Sequence, residues 1–180
     1  MDCSDKLRQQ IIELQATAWP LEPGDKDKPW PENPEVHLSS FVLLDNDTAL
    51  SHVAVVGKSI VHQEETYNAL GLSEVVTHPS YQRLGYGLQL IKEAASFIKN
   101  SDPDISVFTC HPSLINFYVQ GGWEYMENTC LVGGTYEHPF RSDSLGLATM
   151  MDFHSDKAKK NRNHFDNADI YLDLGEKQLW

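Results

Sequence analysis

The 180-residue sequence predicts one α+β domain over residues 1–180, built on a mixed, mostly antiparallel sheet. Between His37 and Thr77, β-rich runs follow one another with turn residues between them, the pattern of a meander. From Gly85 the apolar period becomes helical, and a short β-rich run follows, so strand, helix and strand form a parallel pair through a right-handed crossover. Apolar residues make up 41% of the chain, with the aromatics well spread, enough for one core and too little chain for two full domains.

Each element follows in order. Ser4 caps a first helix with its apolar face on Leu7, Ile11, Leu14 and Ala18, and Pro20 stops it. From Trp19 to Val36 the prolines Pro20, Pro23, Pro29, Pro31 and Pro34 exclude regular structure, and Trp19 and Trp30 favour an ordered wall over a free linker. Strands are expected at His37 to Leu44, before the turn Asp45-Asn46-Asp47, and at Ala49 to Val56, ending at Gly57. Lys58 to Tyr67 and Gly71 to Thr77 are further strands. The helix after Gly85 buries Tyr86, Leu88, Leu90, Ile91, Ala94, Ala95 and Ile98 and ends near Asn100. Ile105 to Cys110 is a strand, Pro112 to Gln120 a shorter helix closed by Gly121-Gly122, and Trp123 to Val132 is extended. Leu145 to Phe153 is a strand, polar His154 to Asp169 a mobile loop, and Ile170 to Trp180 returns to alternation. No internal repeat is visible.

Composition narrows the partners. A formal net charge of −12 argues against nucleic acid and anionic membranes and is compatible with a cationic small molecule or with solubility alone. No apolar run is long enough to cross a bilayer, and the start Met1-Asp2-Cys3-Ser4-Asp5 lacks the regions of a signal peptide. Cys3, Cys110 and Cys130 show no CxxC spacing, so a cytoplasmic protein without disulfide framework or zinc knuckle is expected.

The chemistry concentrates at Val75-Val76-Thr77-His78-Pro79-Ser80-Tyr81-Gln82-Arg83-Leu84-Gly85-Tyr86-Gly87. Pro79 cannot donate to a ladder and ends the strand. Gly85 and Gly87 allow a tight turn and close approach of a ligand. The next helix presents unpaired N–H groups and a positive dipole end, while Gln82 and Arg83 add donors at the rim, so the arrangement suits a pyrophosphate. Two glycines alone would mean only a tight turn; the ordered spacing of strand, proline, glutamine, glycines and helix favours phosphate binding.

Gln82-Arg83-Leu84-Gly85-Tyr86-Gly87 resembles the acetyl-CoA signature Q/R-x-x-G-x-G/A of the GNAT superfamily of N-acetyltransferases. Asn116-Phe117-Tyr118-Val119-Gln120-Gly121-Gly122-Trp123 resembles that superfamily's N-x-Y-x-x-x-G-F/W segment. The resemblance implies a splayed sheet with helices on both faces and acetyl-CoA as cosubstrate. It implies pairing of the pantetheine arm with Val75, Val76 and Thr77, and direct attack by an amine without an acyl-enzyme. A backbone N–H near Val75 or Val76 would serve the oxyanion, and Tyr118 would protonate the leaving sulfur.

A closer likeness, carried by Ser51 to Gly87, Phe117-Tyr118 to Trp123 and Thr129 to Val132, is to the aminoglycoside 2′-N-acetyltransferases. That family's substrate-facing glutamate falls on Ser73, with a carboxylate one place along at Glu74, which alternation turns to the other face unless a bulge intervenes. An acidic residue near that family's C-terminus is replaced by Gln178, while Thr109, Asp143 and Ser144 match other substrate contacts. The resemblance thus implies substrate binding by Ser73, Glu74, Thr109, Asp143 and Ser144 and leaves the base open among Glu74, a histidine, the Trp180 carboxylate and an ordered water.

His52 and His78 are weighed as bases against ordinary structural histidines. Glu32 and Glu35 are weighed as a cation lure against a solvated loop, and Cys110 reads as buried and inert. His62 with Glu64 and Glu65 completes no ligand set, so no metal is expected. The expected activity is acetyl transfer to a primary amine of a small cationic molecule, an aminoglycoside-like compound leading. The alternatives are a polyamine, a peptide N-terminus, or a non-catalytic acyl-CoA sensor, and exposed strand edges leave room for a homodimer.

Overall fold

The structure, a computed structural model, describes residues 4–20, 30–31 and 33–180. Helix α1 (Asp5–Ala16) begins where the Ser4 hydroxyl accepts from the Leu7 N–H at 3.2 Å, satisfying one of the donors a helix start leaves open. Strands β1 (His37–Asp45), β2 (Thr48–His62) and β3 (Glu65–Thr77) form the meander. Both residues of the first turn, Asn46 and Asp47, have positive φ, as a two-residue hairpin turn matched to strand twist requires.

The second hairpin differs from its sequence reading. β2 runs straight through Gly57, and the turn lies at Gln63-Glu64, whose φ angles are 49° and 67°. Three expected strands are therefore two long ones. Neither Gln nor Glu is a favoured residue for that turn; the length of the paired strands imposes it.

Helix α2 (Tyr86–Asn100) crosses to β4 (Ile105–Cys110), parallel to β3 as expected. Their pairing is limited to Ala69 with Ile105 and Leu70 with Ser106, after which the strands part. β4 continues into α3 (Ile115–Val119) and β5 (Glu124–Met126). Beyond these come β6 (Cys130–Gly134), β7 (Pro139–Arg141) and β8 (Ala148–Phe153). One sheet has the order β1-β2-β3-β4-β8-β5. A second, of order β7-β6-β9 with β9 (Asp169–Tyr171), was not expected; the run Trp123 to Val132 divides between the two sheets at a turn where Asn128 has φ 58°.

Neighbouring residues of β1 show that helices cover both faces. Phe41 meets Phe97 of α2 edge-on at 5.6 Å, whereas Val42 packs with Leu14 of α1. The main core lies under α2, on Val53, Val55, Leu72, Ile91 and Val107.

The expected mobile loop His154 to Asp169 is folded. Ser155 caps α4 (Asp156–Lys160), a 3-10 turn spans Arg162–Phe165, and Ala158 and Phe165 are buried. Phe165 stacks on His62 at 4.6 Å and meets Tyr67 at 5.1 Å. Two well-placed apolar residues anchor a segment whose composition alone reads as solvated. Among the described residues, no helix is long and apolar enough to cross a membrane.

Candidate active site

The strand β3 divides two cavities. The larger, about 660 Å³, opens where β3 and β4 part and is lined by Val75, Val76, Thr77, by Gln82, Arg83, Gly85, Tyr86 and Gly87 of the turn, and by Tyr118. Gly85 caps α2 at φ 87°, a conformation open to glycine at little cost. Gly87 is tightly enclosed, since a Cβ there would stand 3.1 Å from Thr77 Oγ1 and 3.4 Å from the Phe117 ring. No side chain caps α2, and its first intrahelical bond is Gln89 N–H to Gly85 O, so the preceding amides face the cleft. Gln82 folds back, its amide donating to Thr77 O at 3.1 Å, while Arg83 is exposed at φ 64° and Leu84 at the rim is 60% exposed. Open amides at a long helix start, a guanidinium and an apolar-walled cleft fit the pyrophosphate and pantetheine of a coenzyme A thioester.

Tyr118 sits on the inner wall of this cleft, edge-on to Phe108 at 4.8 Å and Phe117 at 5.0 Å. Burial, with the Cys110 thiol nearby, pushes its phenol above the ordinary tyrosine range, so it is protonated at neutral pH. Cys110 is itself pushed up to about 11 by burial and remains a thiol.

The smaller cavity, about 60 Å³, lies beside Ser73 and Glu74, between Pro31 to His37 and Leu174 to Trp180. His52 pairs with Val76 while Ala54 pairs with Ser73, so two steps along β2 match three along β3. That is a β-bulge, and Glu74 occupies it at φ 53°. The bulge breaks the alternation that would have turned Glu74 away and places both Ser73 and Glu74 on the pocket. Its carboxylate accepts from Gln15 Nε2 at 2.5 Å and from the Trp30 indole N–H at 3.1 Å. Its main-chain oxygen accepts from His52 Nδ1 at 3.2 Å. A non-glycine residue at such a φ costs about 1–3 kcal/mol and persists only where its surroundings over-determine it; these three donors do so.

Trp180 closes the pocket from the other side. Its main-chain oxygen accepts from both the amide and the hydroxyl of Thr109, and its ring packs over Gly71. Thr109 thus holds the tail rather than facing the cavity.

Asp143 and Ser144 stand apart from this cluster. Arg141 grips Asp143 through two bonds, at 3.1 and 2.8 Å, and also holds Asp169, which keeps the Asp143 carboxyl below its ordinary range. Asp143 lines a third cavity that shares no residue with the other two, and the Ser144 hydroxyl donates to Arg141 O.

The remaining candidates take structural places. His78 caps the 3-10 turn Pro79–Tyr81 by accepting from Ser80 N–H, and His62 bonds His164 O at 2.8 Å. Glu35 is exposed; Glu32, Pro23, Pro29 and Cys3 lie outside the described residues. No group of three or more His, Cys, Asp or Glu among the described residues could hold a metal. Gln15, Trp30, Ser40 and His37 went unnoticed as site residues, because each belongs to an ordinary helix, loop or strand pattern until the chain folds.

The acetyltransferase (GNAT) domain model matches residues 2–126 of the chain. No curated protein matches it in sequence. A GCN5-related N-acetyltransferase from Kribbella flavida superposes with TM-score 0.58 at 15% identity, over 69% of this chain and 32% of that one. The chain thus spans under a third of the length of that and two similar larger proteins. The ribosomal-protein-S18-alanine N-acetyltransferase of Escherichia coli gives TM-score 0.56 at 14% identity, over 86% of this chain and 92% of that one. An aminoglycoside 6′-N-acetyltransferase complexed with coenzyme A gives 0.57 at 14% identity, over 84% and 93%. At these identities the likeness is one of fold.

Proposed function

Because the chain belongs to the acetyltransferase (GNAT) domain family, we propose that it transfers acetyl from acetyl-CoA to a primary amine of a small cationic acceptor, by direct attack in a ternary complex. One observation carries this reading: Glu74 and Tyr118 line two cavities that border consecutive residues of β3. An amine entering from one side and a thioester from the other come together at that strand.

Acetyl-CoA, when bound, supplies an acetyl group activated as a thioester. The amides at the start of α2, with Gln82, Arg83 and Leu84, hold the pyrophosphate, and Gly85, Tyr86 and Gly87 shape the turn around it. The edge of β3 at Val75, Val76 and Thr77, left without a β4 partner, pairs with the pantetheine arm. Glu74 takes one proton from the acceptor ammonium, freeing the lone pair that attacks. A backbone N–H near Val75 or Val76 steadies the charge that develops on the acyl oxygen. Tyr118 gives its proton to the departing sulfur and is restored by the second proton of the amine, while the proton taken by Glu74 passes to solvent. One thioester is broken, one amide and one thiol are made, and one proton goes to solvent.

The acceptor cavity, about 60 Å³, is small beside the coenzyme cleft of about 660 Å³. It takes the amino group and its first carbons between Ser73, Glu74, Gln178 and Trp180, with the rest of the molecule outside. An aminoglycoside presenting its 2′-amine fits that description, as the likeness through Ser51 to Gly87 suggests; a polyamine end fits it too. A non-catalytic sensor has less support, since the bulge supplies the carboxylate that Ser73 lacks.

Mass spectrometry of aminoglycosides, polyamines and short peptides after incubation with protein and acetyl-CoA tests the proposal. An acetylated amine from one class assigns the acceptor. Tight acetyl-CoA binding with no acetylated product in any class would contradict the enzymatic reading.

A further inference from the structure

His52 is fully buried on β2, yet no step above uses it. Its ring makes two hydrogen bonds, Nδ1 to Glu74 O at 3.2 Å and Nε2 to Ser40 Oγ at 3.0 Å, and Ser40 Oγ also meets His37 Nε2 at 3.1 Å. These partners leave one consistent assignment of protons. A carbonyl oxygen only accepts, so His52 carries its proton on Nδ1 and accepts at Nε2. Ser40 must then donate to His52, and its oxygen receives the Nε2–H of His37. Trp30 sits edge-on to both rings, 5.7 Å from His52 and 5.6 Å from His37, and its indole N–H reaches Glu74.

The bulge takes Glu74 out of the regular ladder register, and the His52 ring donates to its carbonyl there. We infer that His52 is a positioning residue for the acceptor site: its Nδ1–H, with the tautomer imposed by Ser40 and His37, holds the Glu74 backbone in the bulge that aims the carboxylate into the cavity. Burial depresses the His52 imidazole to about 4, so the ring is neutral, as this hydrogen-bond chain requires. The adjacent Ser51 makes the complementary bond on the other face, donating to Val76 O at 2.9 Å, so two consecutive side chains of β2 fix the carbonyls on either side of Val75. The inference rests on Glu74 being the base.

Three variants and one spectrum test it. His52→Phe keeps a ring of similar size and loses both bonds; kcat should fall on the order of 10²-fold with the KM for acetyl-CoA unchanged, the cost of a misplaced catalytic group. His52→Asn, whose amide can donate where Nδ1 does, should recover most of that loss. A His52→Phe enzyme with wild-type kcat, beside an inactive Glu74→Gln, would overturn the His52 role and leave the Glu74 reading standing. A fully active Glu74→Gln would overturn both. Nitrogen chemical shifts of His52 in the unaltered protein provide a measurement independent of variant folding: the Nδ1–H tautomer is expected, and the Nε2–H tautomer or an imidazolium at neutral pH would refute the inference.

Discussion

The two cavities beside β3 are built in opposite ways. The coenzyme side is made mostly of backbone: open amides at the start of α2, an unpaired strand edge, and glycines that keep side chains out of the way. The acceptor side is made of side chains from α1, the Trp30 segment, β1, β2 and the tail, converging on one strained residue, Glu74. A backbone site needs a contiguous segment with the right turn residues. A side-chain site needs only that distant residues meet after folding. Damage should therefore divide cleanly, acetyl-CoA affinity failing on one side and turnover on the other.

The largest effect belongs to the acceptor side. Glu74→Gln can keep the Gln15 and Trp30 partners and removes the proposed base, so kcat should drop about 10³-fold, within the usual span for general base catalysis, with acetyl-CoA affinity by calorimetry retained. Tyr118→Phe acts at the inner wall of the coenzyme cleft. Loss of the proposed proton donor should lower kcat on the order of 10²-fold while sparing acetyl-CoA binding, and weakened binding with unchanged kcat would give Tyr118 a binding role in place of proton transfer.

The acceptor side should also be the acid-sensitive one. His52 titrates at about 4 in the fold against an ordinary value of 6.5, so the unfolded chain binds the proton more readily. Its contribution is present above pH 6.5 and is lost as pH falls toward 4, up to about 3 kcal/mol. Urea midpoints measured across that window should fall with pH, and His52→Asn should flatten the slope. On the coenzyme side, Gly87→Val pushes a branched side chain against Thr77 and Phe117 and should raise the KM for acetyl-CoA about tenfold or more, one pKd unit being about 1.4 kcal/mol, with little change in kcat. The smallest effect is expected from Cys110→Ala: a thiol held near 11 is no nucleophile, so turnover should persist and no acyl-enzyme should be trapped.

The same contrast explains what could be read from the sequence. The first helix and its Ser4 cap, the Asn46-Asp47 turn, the crossover through α2 and the Gln82 to Gly87 loop each depend on neighbours in the chain, and each is found. The Gln63-Glu64 turn was missed because strand length, not residue preference, imposes it. The segment after His154 was misread because Ala158 and Phe165 alone anchor it among polar residues. Glu74 was recognised as a carboxylate in the right neighbourhood, but its direction turned on a bulge that no local pattern announces. Trp30 and Gln15, which hold it, lie 44 and 59 residues away. Asp143 carried a family match, yet Arg141 two residues before it, which also holds Asp169 across the second sheet, binds it into a separate ion cluster.

The most direct test is CoA release, read with a thiol reagent, from acetyl-CoA and the amine panel, in the wild-type protein and in Glu74→Gln side by side. Amine-dependent release by the wild type, lost in Glu74→Gln while acetyl-CoA still binds, is the predicted result. Equal release by both proteins would contradict the account at its centre, because the carboxylate in the bulge would then have no part in the transfer.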